Sequence, residues 1–102
     1  MSVLVTVRFP GDTDQFRSFV ADDSNAGRLT EIADDAKSRG AIHHRFAVGD
    51  GFVLVVDEWE SGEQFQQFFS GNDQVEAVVR DSGGQGEPEI TIAEAVETPD
   101  QF

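Results

Sequence analysis

The chain switches repeatedly between two hydrophobic periods, one near two residues and one near 3.6. Residues 2 to 9 are rich in β-branched side chains and end at Pro10-Gly11, which predicts a strand, central in its sheet, closed by a turn. Phe16, Phe19 and Val20 then fall at helical spacing, Asp22-Asp23-Ser24-Asn25 breaks the pattern, and Leu29, Ile32, Ala33 and Ala36 resume it. One short helix and one longer one are expected between residues 12 and 39, stopped by Gly40.

Ile42 to Val48 and Phe52 to Glu58 read as two extended runs around Gly49-Asp50-Gly51, where Gly and Asp tolerate the positive φ of tight hairpins. Ser61-Gly62-Glu63-Gln64 has the spacing of a reciprocal capping box. A helix starting there carries Phe65, Phe68 and Phe69 on one stripe, and Asn72 can cap a further turn or two bearing Val75, Val78 and Val79. Such a stripe reads as core rather than as a cofactor box. Asp81 to Pro88 is expected to be a flexible glycine-rich connection, because phosphate-binding glycine loops follow a strand and open a helix, and this one precedes a strand. The last strand is predicted over Glu89 to Val96. Strand, helix and strand occurring twice over is the order of the split βαβ unit, so the fold class expected is α+β, ferredoxin-like βαββαβ, with a four-stranded antiparallel sheet.

Length and composition narrow the picture. One domain spanning residues 1 to 102 with one core is what this length allows. The hydrophobic fraction is 38%. So modest a share suggests that burial is completed by a second copy, a homodimer. Twenty Asp and Glu against seven Lys and Arg give a formal charge of −13. That charge repels phosphate backbones and anionic lipid, so neither nucleic acid nor membrane is an expected partner. The absence of cysteine excludes a disulfide framework, a thiolate nucleophile and Cys-ligated metal. Met1 to Val7 has no basic n-region and turns polar at Arg8, so a cytoplasmic protein is expected.

Asp57-Glu58-Trp59-Glu60-Ser61, followed by Glu63, Phe65, Phe68 and Phe69, resembles the acidic-x-Trp-Glu-Ser signature at the strand-to-helix junction of the antibiotic biosynthesis monooxygenase family. Gly40-Ala41-Ile42 and the order of elements agree with it, over residues 2 to 96. The resemblance implies a dimeric α/β barrel with a pocket between each sheet and its own helices. Haem-degrading relatives carry an Asn on the first strand and a His on the helix after the Trp-Glu-Ser segment. This chain has neither, with Val78 or Val79 near the place of that His, so haem is not expected and no cofactor is assigned.

A two-residue hairpin loop would place Ile42, His44, Phe46 and Val48 on one face with Val53, Val55, Asp57 and Trp59. His44 then lies across from Asp57 beside Trp59. These two are the candidate catalytic residues, a histidine base and the carboxylate that orients it, with Trp59 as a stacking wall and Phe68 as a second candidate substrate contact. In the family resemblance such a base would take a proton from a phenol or quinol, whose carbanion then reacts with oxygen. The alternative is a cross-strand polar pair with Trp59 packed under the second helical segment, and a three-residue loop would separate the two groups altogether. His43 and His44 point to opposite faces, so no single-chain metal site is expected. Two functions stay open: a cofactor-independent monooxygenase of a small aromatic ligand, or a non-catalytic module whose pocket is filled by its own phenylalanines.

Overall fold

Val3, Val5, Val7 and Phe9 alternate along strand β1 (Val3–Pro10) and are all buried, while Leu4 and Arg8 between them are exposed. This period of two decides which face of the sheet carries the helices. The computed structural model describes residues 1 to 102, with β1 at the centre of the sheet. It pairs antiparallel with β3 (Phe52–Trp59) on one side and β4 (Glu89–Glu94) on the other, and β2 (Ala41–Gly49) adds to β3 as an edge, giving the order β2-β3-β1-β4. Helices α1 (Thr13–Ala21), α2 (Ala26–Ser38), α3 (Gly62–Phe69) and α4 (Asp73–Asp81) complete the ferredoxin-like α+β fold that the order of segments predicts.

Polar side chains start most of these helices. Asp12 accepts from the amides of Asp14 and Gln15 at 3.0 and 3.1 Å. Asn72 accepts from the Val75 amide at 3.2 Å. Each satisfies amides that the helix leaves unpaired. The polar break at residues 22 to 25 becomes a single 3₁₀ turn, Asp23–Asn25. Ser61 caps α3 through the Gln64 amide at 3.2 Å, but the capping box is only half formed. The Gln64 side chain accepts from the Ser61 hydroxyl and donates to Glu60 instead of returning to the Ser61 amide.

The glycine-rich connection differs from expectation, because it is tied down. The Gly84 amide donates to Val79 at 2.8 Å, Gln85 to Pro10 at 2.8 Å, and Gly83 accepts from Asp12 at 3.3 Å. Glycine serves close approach here. A Cβ on Gly84 would lie 2.5 Å from Val79 Cγ1. The last strand stops at Glu94, two residues before the predicted end at Val96.

The core is built around Trp59, which is fully enclosed with Phe65 and Phe68 of α3 at 5.6 and 5.2 Å between ring centroids. Phe69 stacks on Phe65 at 5.3 Å. By contrast α2 has no buried residue, and Leu29, Ile32, Ala33 and Ala36 are only half-buried although they form its apolar stripe. Its polar side is fastened to α4, where Arg28 donates to Asp81 at 2.9 Å and Gln74 to Glu31 at 3.3 Å. The Arg28 hydrogen bond holds the Asp81 carboxyl below its ordinary range. The two helices α2 and α3 should therefore respond differently to truncation. Phe65→Ala is expected to lower the unfolding free energy by about 3–5 kcal/mol, and Ile32→Ala by less than half of that, because only the first leaves a hole in a filled region. Urea denaturation of the two variants measures the difference, and equal losses would contradict this division.

Candidate active site

Gly49 pairs with Phe52, so the hairpin loop is the two residues Asp50-Gly51. Of these only Gly51 takes a positive φ, 80°. A positive φ at the second central position alone is the type II pattern. With that loop length settled, His44 pairs with Asp57, Phe46 with Val55 and Val48 with Val53, and all share the face that carries the helices. One member of the expected set is out of register. A β-bulge between Ala41 and His43 makes Ile42 the extra residue, so Ala41 rather than Ile42 lies in register with Trp59. Bulges re-aim the chain beside them, and this one immediately precedes the two histidines.

The side chains meet as the register requires. His44 Nδ1 and Asp57 Oδ1 are 2.7 Å apart, and Trp59 Nε1 donates to Asp57 Oδ2 at 3.1 Å. Residues 57 and 59 are two apart on one strand and therefore point the same way, which brings indole and carboxylate together. An ionised carboxylate only accepts, so the proton between imidazole and Asp57 belongs to Nδ1 and the lone pair of the neutral ring belongs to Nε2. Nε2 bonds to no group in the chain. Asp57 is 8% exposed and His44 42%, so the carboxylate is sunk in the core and the imidazole reaches out of it. The His44 ring also sits edge-on to Phe46 at 4.8 Å, and Phe46 meets Phe16 at 5.2 Å.

Above this group lies a cavity of about 600 Å³ between the sheet and the helices. Its walls are mostly apolar, with Leu29 and Ile32 of α2, Phe16 of α1 and Phe46 of β2 among them. The space is within the range of small-molecule sites, and the phenylalanines do not fill it. The half-buried stripe of α2 is thereby explained, since it faces this void. Sequence periodicity found the stripe but not its role. The available signal was its composition, in which two of the four apolar positions are alanine.

The two expected ligand contacts lie at the floor of the cavity. Trp59 is 0% exposed, with its polar edge on Asp57, and lies beneath the cavity that it helps to line. Phe68 packs against Trp59 and is 8% exposed, at the floor of the cavity within the core. The opposite sheet face carries Arg45, Leu54, Val56 and Glu58 as the register predicts, and His43, paired with Glu58 beside the bulge, also borders the cavity. Arg8, which sequence alone leaves unplaced, lies on that opposite face with its guanidinium 3.8 Å from the centre of the Phe52 ring. At that distance the cation is held by the ring face. No group of three or more His, Asp or Glu converges on a point that could hold a metal ion.

No family model matches this chain, and no curated protein does. Solved structures match along nearly its full length. SnoaB, a cofactor-independent oxygenase from Streptomyces nogalater, superposes with a TM-score of 0.63 at 14% identity over 98% of each chain. A monooxygenase from the ActVA-Orf6 gene of Streptomyces coelicolor, solved with nanaomycin D, gives 0.65 at 18% identity over 97% of this chain and 93% of its own. A dimeric ferredoxin-like protein from an uncultured marine organism gives 0.61 at 14% identity over 99% and 93%. The chain has their fold. At these identities the fold is what is shared, and it agrees with the fold implied by the segment around Trp59.

Removing the carboxylate should be felt in stability. Asp57→Ala strands the indole N–H inside the core, and an unsatisfied buried donor costs about 1–3 kcal/mol. A drop of that size in the urea unfolding free energy is expected, and an unchanged value would mean that the two hydrogen bonds contribute nothing to folding.

Proposed function

We propose that this chain is a cofactor-independent oxygenase of the antibiotic biosynthesis monooxygenase type, acting on a small aromatic or quinol-like substrate. The observation that carries the reading is the oriented imidazole beside an open apolar cavity. His44 has Nδ1 fixed on Asp57 and Nε2 free, which is the arrangement of a general base. An acidic phenol seated against Phe46, Phe16, Leu29 and Ile32 would give its proton to Nε2. The electrons for reducing dioxygen then come from the deprotonated substrate, so the protein supplies a dry pocket, a base and orientation. The likeness to an oxygenase that works without a cofactor and to a ligand-bound monooxygenase supports the reading.

A second copy of the chain belongs to this proposal. The sheet face away from the helices is bare, with Leu4 51% and Val56 43% exposed. The molecule has a charge of −13, yet that face carries Arg8, Arg45 and His43 beside Glu58 and Glu89. Two copies can therefore meet there without the repulsion their other surfaces impose. A neighbour of the same fold that is dimeric supports a pair of chains.

Two experiments test these statements. A panel of phenols and quinols is screened by thermal shift, and a binding class should raise the melting temperature with concentration and consume oxygen. His44→Ala should keep the thermal shift and lose at least about 10²-fold in turnover, the lower range for general base catalysis. Binding without oxygen uptake by any substrate would leave a non-catalytic ligand-binding module. For the dimer, sedimentation velocity should show the mass of two chains, falling to one in Val56→Glu, and a monomeric native chain would reject it.

A further inference from the structure

We propose that Trp59 is a positioning residue, acting on His44 through Asp57 and touching no ligand. Three observations carry this. The indole is wholly buried, its Nε1 donates to Asp57 Oδ2 at 3.1 Å, and the other oxygen of the same carboxylate faces His44 Nδ1 at 2.7 Å. The terminal torsion of an aspartate is soft and nearly two-fold, so one hydrogen bond leaves its plane poorly fixed. Two donors on the two oxygens remove that freedom. The indole is itself locked between Phe65 and Phe68, so the rigidity of the core is passed to the imidazole through the carboxylate.

The arrangement also sets the tautomer. Indole nitrogen only donates, so Oδ2 accepts from it, and with the carboxylate ionised Oδ1, held facing His44, accepts as well. His44 can then meet Oδ1 only with a proton on Nδ1, leaving Nε2 as the lone-pair nitrogen whenever the ring is neutral. A phenylalanine at position 59 could fill much of the same space, but it would release the carboxylate. The proposal deepens the reading of His44 as a base, yet its test needs no substrate, so it can fail or hold independently of any oxygenase activity.

Nuclear magnetic resonance decides it on the native chain, because one tryptophan gives one indole N–H signal and two histidines give two ring systems, separable with His43→Gln. Besides the pair itself, the charged or titratable groups lining the cavity are Lys37 from α2, Asp12 ahead of α1 and His43 on β2, with none from α3 or α4. The indole N–H is expected to shift with pH at the same midpoint as the His44 ring and to lose that step in His44→Ala. An indole signal that stays still while His44 titrates would overturn the proposal. In Trp59→Phe, the ¹⁵N shifts of neutral His44 should change from one tautomer to a mixture of both. A single tautomer retained in a folded variant would equally overturn it, and should that variant fail to fold, the native titration still decides.

Discussion

A carboxylate set among aromatic rings must be given donors, and the way this chain supplies them to Asp57 organises everything near the site. Unpartnered, the group would cost several kcal/mol in the interior. It is met instead from both sides, by the indole beneath it and the imidazole above it. The first partner comes from its own strand and the second from the neighbouring one, so the hydrogen bonds hold only in one register of β2 on β3. The polar group therefore specifies the hairpin as well as serving the cavity.

The cavity follows from an uneven distribution of bulk. Large side chains on β1, β3 and α3 fill one half of the space between sheet and helices, and α2 offers two alanines, one leucine and one isoleucine to the other half. Ile32 and Ala36 reach the edge of the core, and the space beside them stays open. The helix stays in place because its outer side is bonded to α4 through Arg28 and Glu31, contacts that do not require its inner face to be packed. Apolar walls with the His44 imidazole at the base are the features on which the proposed aromatic substrate rests.

The same economy leaves the other sheet face open. Only 13 of 102 residues are buried in the single chain. The uncovered sheet face is the one proposed for a second copy. The comparisons bear on fold and not on chemistry. Structures at 14% and 18% identity share the chain path. The residues that would do chemistry have to be argued one by one.

Much of this was determined by sequence. The β-branched run of β1, the helical spacing of the phenylalanines and the Ser61 and Asn72 caps are local preferences, satisfied where they stand, and they were enough for the element order and the ferredoxin-like fold. The pairing of His44 with Asp57 was legible on one condition, a two-residue loop, because strand parity is arithmetic once the turn is known. Tertiary structure decided that condition, and it decided three things that no local pattern encodes. It bulged the strand at Ile42, so Ala41 took the place opposite Trp59. It closed glycines 83 and 84 against Asp12 and Val79, the first of these a contact between segments distant in sequence. And it buried Trp59 below the carboxylate, because how far an aromatic at a strand end is enclosed depends on what packs over it, and here that is Phe65 and Phe68 of the following helix.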